Sequence, residues 1–296
     1  MTDISALRRR LRRGRQHTER ALRRFGGGLT AYVTWPVWRE ARCLFVLSTG
    51  RTGTKTLARL LDLSGEIDAF HEPHPQLLEE RQAARWGVHT NEKKYRHIFI
   101  RARGAPLFRS VWQERIYAET SARLTFFAPV ITDLLSNAKF LFIHRSPYGI
   151  IRSGMKRGWY VDHPADYARV HPIEGEEFFD RWERMSPFEK ICWYWKVYND
   201  FALDFCEQAS SSSTLKIRAS ELFAGRSIPQ IFEFLDIEPP SSEAVEGVLS
   251  KKLNAQREGT FPEPEEWTPS MHQTLQRIAG RTMERLGYSP KDVAAS

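Results

Sequence analysis

Residues 46–56 read VLSTGRTGTKT, and their chemistry is that of a seat for an anion. β-favouring residues from Cys43 to Leu47 run into small and glycine residues, then into Lys55, Thr56 and the apolar Leu57, Leu60 and Leu61. This order predicts a strand, a tight loop and a helix N-terminus. The first N–H groups of a helix lack intrahelical partners and its leading end is positive, so such a loop attracts negative charge. A second stretch, AKFLFIHRSPYGIIRSGMKRGWY at 138–160, delivers Arg145 at the end of an apolar strand and Pro147 just inside the next helix. Ser153 follows about two helical turns later. An arginine fork and a serine hydroxyl at the mouth of a parallel sheet suit a second anion. Taken singly, each feature also fits a plainer role: Arg145 as an ion-pair partner, Ser153 as a packing residue, Lys55 as an exposed helix lysine.

The familiar candidates for the anion fail on spacing. A nucleoside-triphosphate P-loop reads G-x4-G-K-[ST], and here Thr49 and Thr54 stand where its glycines belong. The strand KFLFIH ends in His144 and Arg145 rather than in an acidic ligand for magnesium. Gly50 and Gly53 lack the spacing of a dinucleotide fingerprint. An ATP-dependent kinase remains only as the alternative to be tested, beside a non-catalytic polyanion-binding protein.

The elements around these motifs alternate, which predicts an α/β fold: a three-layer arrangement with a mostly parallel central sheet flanked by helices. Strands are expected at Cys43–Ser48, Ile67–Phe70, His97–Arg101, Lys139–His144 and Leu215–Arg218. Helices are expected after Thr54, over Ala122–Ser136, Tyr148–Lys156, Pro187–Glu207, Ile228–Leu235 and Ser270–Leu286. Residues 160–186, rich in His, Pro, Glu and aromatics without a period, read as an irregular excursion over the sheet. In FEKICWYWKVYND, helical spacing aligns Ile191, Tyr194, Trp195 and Tyr198 as a core face that can also wall an acceptor pocket.

With 296 residues, 41% of them apolar, the chain can bury the core of one such domain, expected over residues 29–296. Three scattered cysteines, Cys43, Cys192 and Cys206, form neither a disulfide framework nor a thiolate zinc site. With no apolar run of membrane-spanning length and a charged N-terminus, a cytoplasmic location is expected. The net charge of +8 is localised. Residues 1–25 hold nine arginines against Asp3 and Glu19, a net of +7, which leaves +1 for the rest. Residues 1–28 are therefore read as a basic arm, ending in Gly26–Gly28, that is either solvated or in peripheral contact with an anionic membrane. Basicity confined to an arm does not indicate specific nucleic-acid binding by the domain.

Together the two anion motifs resemble the sulfotransferases that use 3′-phosphoadenosine 5′-phosphosulfate, PAPS. In that family a strand-loop-helix of the form (P/G)-(K/R)-(S/T)-G-(S/T) binds the 5′-phosphosulfate, and GRTGTKT is similar to it through Arg51, Thr52, Gly53, Thr54, Lys55 and Thr56. The family's second element is an Arg followed eight residues later by Ser, which take the 3′-phosphate. HRSPYGIIRS supplies Arg145 and Ser153 in those places. LKIRASELF, IFEFLDI and RTMERLGY extend the resemblance over about residues 40–288. A Trp just inside the first helix, present in the cytosolic steroid and phenol branch, is absent here, and the late Arg-Lys-Gly element is reduced to NAQREG with Arg257. The pattern is closer to the bacterial, Golgi carbohydrate and protein-tyrosine branches.

The resemblance implies a P-loop-like sulfotransferase fold, PAPS as co-substrate, adenosine 3′,5′-bisphosphate as product, no metal, and a hydroxylated acceptor: carbohydrate, lipid, phenol or tyrosine. It implies that Arg51 and Lys55 stabilise charge during transfer and that Glu72, in FHEPHP, is the general base. His71 and His74 compete for that role, because imidazole titrates nearer neutrality. As metal ligands they are disfavoured, since Pro73 between them denies a helical face.

Overall fold

The computed structural model describes residues 39–87, 91–251 and 259–289. Its centre is a five-stranded, wholly parallel sheet of β1 (Cys43–Leu47), β2 (Ile67–Phe70), β3 (Ile116–Glu119), β4 (Ala138–His144) and β5 (Thr214–Arg218), in the order β2-β3-β1-β4-β5. The helices are α1 (Thr54–Leu61), α2 (Leu78–Gly87), α3 (Glu92–Trp112), α4 (Ala128–Leu134), α5 (Pro147–Met155), α6 (Pro187–Gln208), α7 (Ala219–Phe223), α8 (Ile228–Phe234), α9 (Ser242–Leu249) and α10 (Pro269–Arg285). The three-layer expectation holds.

Strand β1 shows why the layers form. All five of its residues are buried, as parallel strands covered on both faces require. Phe45 and Leu47 point into one core, shared with Phe140 and Phe142 and with α3, α4, α6 and α10. Leu44 and Val46 point into the other, shared with Leu141, Ile143, α1 and α8. Alternate side chains thus feed opposite layers.

Two sequence expectations are corrected. His97–Arg101 is not a strand; it lies inside α3. Its local alternation imitates a strand, but the buried positions Tyr95, Phe99, Ala102, Arg103 and Leu107 recur at helical spacing over a longer span. The missing strand is Ile116–Glu119, whose four residues are all buried. Glu119 hides in this apolar layer because Arg103 meets it with two bonds, Nε–Oε2 at 2.6 Å and Nη2–Oε1 at 2.9 Å, while the Tyr117 hydroxyl donates at 2.7 Å. The Ala122–Ser136 helix is in fact a 3-10 turn, Ala122–Phe127, running into α4. The excursion at 160–186 is irregular as expected, with short 3-10 turns at Asp166–Ala168 and Phe179–Arg184. The basic arm 1–28 and Arg257 lie outside the described residues.

Candidate active site

The strand order dictates where a ligand sits. From β1 the chain crosses to β2 on one side of the sheet, and from β4 it continues to β5 on the other. The carboxyl ends of β1 and β4 therefore flank a topological switch point, the usual crevice for ligands in open parallel sheets. Both anion motifs leave the sheet there.

The first loop is tightly folded. Gly50, Arg51 and Gly53 all have positive φ, of 75°, 60° and 91°. For Arg51 this left-handed conformation costs about 1–2 kcal/mol relative to ordinary geometry, and such strain concentrates at functional sites. Ser48 donates its N–H to Thr125 Oγ1 at 3.1 Å, and Gly50 N–H bonds Ser48 Oγ at 3.0 Å. At Gly53 a Cβ would lie 2.9 Å from the Phe223 ring, so glycine lets the loop pass beneath that aromatic. Helix α1 then starts with no side-chain cap and no acidic residue in its first turn. Its leading N–H groups face the cleft without a built-in anion.

The second loop is tied to the first. Arg145 Nη1 donates to the Arg51 carbonyl at 3.2 Å, and Arg51 Nε donates to Ser153 Oγ at 3.3 Å. The Arg145 guanidinium lies against Gly149, where a Cβ would come within 2.8 Å of Nε. Helix α6 buttresses both loops from below. Its Tyr194 hydroxyl donates to the Thr49 carbonyl at 2.8 Å, and Trp195 Nε1 donates to the Arg145 carbonyl at 3.0 Å. The aromatic face expected from the FEKICWYWKVYND spacing is a core face, and Tyr194 also reaches the cleft wall.

The cleft has a volume of about 570 Å³. Arg51, Gly53, Thr54, Lys55, Thr56, Glu72 and Arg145, all singled out from the sequence, line it together. Ser153 joins through Arg51. Thr52 does not line it: the residue is fully buried and its hydroxyl has no hydrogen-bond partner. Among the base candidates, Glu72 lines the cleft with φ at 49° and pairs with Arg123 Nη2 at 2.9 Å. His71 also borders it, with Nδ1 3.0 Å from the Thr120 carbonyl. His74 is exposed and lies off the cleft.

The sequence reading missed Arg81, Arg123, Arg157 and Arg169, which line the same space. Among the described residues they make, with Arg51, Lys55 and Arg145, seven cationic side chains against one lining carboxylate, Glu72. Nothing in their local spacing announces them, because they come from α2, the turn after β3, the turn after α5 and the excursion. Their charge is felt locally. Burial, then Arg157 and Arg145, push the pKa of Arg51 down to about 10, and burial pushes Arg145 down as well. A bound anion would relieve both effects. Among the described residues no cluster of three or more His, Cys, Asp or Glu is placed to hold a metal ion. No helix there is long and apolar enough to cross a membrane.

A sulfotransferase domain from the curacin biosynthetic pathway superposes with a TM-score of 0.52 at 15% identity, over 84% of this chain and 98% of that one. The sulfotransferase domain of the Synechococcus PCC 7002 olefin synthase gives 0.50 at 16%, over 84% and 96%. The sulfotransferase STF9 from Mycobacterium avium gives 0.51 at 14%, over 88% and 82%. The fold is the sulfotransferase fold. At these identities the likeness is one of architecture. The sequence matches no protein-family model and no curated protein. The activity must therefore be argued from the cleft that this sulfotransferase fold carries.

Proposed function

We propose that the protein is a sulfotransferase that moves a sulfuryl group from PAPS to an acceptor hydroxyl, with a sequence pattern closest to the bacterial and Golgi carbohydrate branches. The carrying observation is the contact of Arg51 with Ser153 and of Arg145 with the Arg51 carbonyl. These contacts bring two anion motifs into one strongly cationic cleft. PAPS presents negative charge at both ends, and a seat with cations at both loops matches it. The uncapped start of α1, together with Gly53, Thr54, Lys55 and Thr56, would hold the 5′-phosphosulfate, and Thr52 would act from beneath as part of the loop. Arg145 and Ser153 would hold the 3′-phosphate. Phe223, half-exposed and lying over Gly53 at the cleft edge, offers a flat face for the adenine.

The reaction needs positioning and charge stabilisation more than covalent help. The acceptor oxygen forms a bond to sulfur as the bond from sulfur to the bridging oxygen breaks, and that electron pair leaves on the 5′-phosphate. Arg51 and Lys55 are placed to stabilise the charge growing there. Glu72, held by Arg123 at the end of β2, takes the acceptor proton. Water and side reactions would be limited by Trp159 and by Ala165 of the excursion, which form part of the cleft wall. No metal is assigned a role. We read the location as cytoplasmic, with the arginine-rich residues 1–28 available for an anionic surface.

Calorimetry tests the reading. Adenosine 3′,5′-bisphosphate should bind without magnesium, and at least about tenfold more tightly than ADP or ATP. Magnesium-dependent ATP binding of equal or greater strength would replace this proposal with a kinase.

A further inference from the structure

The cleft holds more positive charge than the donor motifs use. Arg51, Lys55 and Arg145 belong to the two loops over β1 and β4. The remaining guanidinium groups, Arg81, Arg123, Arg157 and Arg169, line the same cleft as Glu72, which pairs with Arg123. Their hydrogen bonds leave charge unanswered. Arg81, 6% exposed, directs Nε and Nη2 at one neutral acceptor, the Ala168 carbonyl, at 3.1 and 2.9 Å. Arg157 makes no ion pair among the described residues, and its Nε is buried without a partner. Arg123 has Glu72 on Nη2, but its Nη1 is buried and unpartnered. Arg169 alone is answered outside the cleft, by Asp166 at 2.6 Å. Burial, and for Arg123 also the charge of Arg81, pushes the pKa values of Arg123 and Arg157 down. Neighbouring guanidinium groups held out of bulk water gain most from a ligand that brings its own negative charge.

We propose that the acceptor is itself an anion: a hydroxyl compound whose carboxylate or phosphate group is held by Arg81, Arg123 and Arg157 while its hydroxyl faces Glu72. This rests on the sulfotransferase reading above. Arg157 lines the same cleft as Glu72 and lies close enough to Arg51 to depress its pKa, so an acid group bound there would lie beside the transferring group. The arrangement also favours the transition state. As Glu72 takes the acceptor's proton, Arg123 loses that counter-charge, and its contact with the acceptor's already bound acid group strengthens.

The test uses the full chain saturated with adenosine 3′,5′-bisphosphate, followed by calorimetric titration of matched probes. One pair is 4-hydroxyphenylacetate and its amide; the other is glucose 6-phosphate and glucose. The acid of at least one pair should bind about tenfold or more tightly than its neutral partner, and which pair responds tells carboxylate from phosphate. In Arg157→Gln that ratio should fall to about threefold or less, while bisphosphate affinity stays within about twofold of the parent. Equal binding within both pairs overturns the proposal. So does an Arg157→Gln protein that loses bisphosphate affinity but keeps the acid preference, because Arg157 then belongs to the donor seat. Failure of the bisphosphate itself to bind is seen in the first titration, and it overturns the donor reading and this proposal with it.

Discussion

Arg51 Nε donates to Ser153 Oγ at 3.3 Å, across 102 residues of chain. The contact makes the loop after β1 and the helix after β4 two halves of one seat, with Arg145 closing it through the Arg51 carbonyl. Such a seat implies a division of labour. Arg145→Ala should weaken adenosine 3′,5′-bisphosphate binding by about 1.5–3 kcal/mol, the range for a lost charged hydrogen bond, which is about 10- to 150-fold in Kd. Arg51→Ala should act mainly on kcat. Titration of both variants with the bisphosphate and with 5′-AMP checks the assignment: an Arg145→Ala protein that still prefers the 3′-phosphorylated ligand would refute it.

Among the described residues Glu72 is the single carboxylate on the cleft wall. Glu72→Gln keeps the volume and can still accept a hydrogen bond from Arg123, but it cannot take the acceptor's proton. Bisphosphate affinity should be retained while kcat falls about 10²-fold or more. Steady-state kinetics beside His71→Ala decide between neighbours. Normal turnover in Glu72→Gln together with a collapse in His71→Ala would move the base to the imidazole.

The Arg103–Glu119 pair holds the floor under Glu72. Arg103 Nη1 also donates to the Pro75 carbonyl at 2.9 Å, so the ion pair anchors the loop that follows β2. Both side chains are almost wholly buried. Glu119→Ala leaves an uncompensated buried guanidinium and should lower stability by about 3–5 kcal/mol, whereas the double change Arg103→Met with Glu119→Leu should cost less. Denaturant midpoints at matched pH read the difference. A double variant as unstable as the single one would show that the charges, and not merely their pairing, are required.

His144 ends β4 beside Arg145, and its Nδ1 lies 2.8 Å from the Tyr288 hydroxyl. Burial, then Arg218 and Lys216, push its pKa from 6.5 down to about 3. A histidine depressed in the folded state is protonated first in the unfolded state, so acid favours unfolding. Its contribution is present above about pH 6.5 and is lost as pH falls from there toward about 3. Between pH 7 and 5 the loss should be about 2 kcal/mol. Stability curves at those two pH values should converge in His144→Asn relative to the parent; an unchanged slope would show that other groups carry the acid sensitivity.

The sequence by itself determined the parts whose information is local. Strand β1, its loop and α1 are specified by an apolar run, two glycines needing positive φ and a helix start, all within residues 43–61. The same holds for β4, Arg145 and α5, where Pro147 sets the helix boundary. Glu72 came from the resemblance of FHEPHP to a family segment rather than from any local pattern, and the fold places it on the cleft wall. Only the tertiary structure decided the strand at Ile116–Glu119 and the helix through His97–Arg101. Four or five residues cannot separate period 2 from period 3.6, and Glu119 reads as a surface residue until Arg103 is seen to neutralise it. The same applies to Arg81, Arg123, Arg157 and Arg169. Each is an ordinary surface-type residue in its own segment. Their shared charge exists only once the excursion and α2 fold over the ends of β2 and β3, and electrostatic energy depends on distances in space that no local spacing encodes.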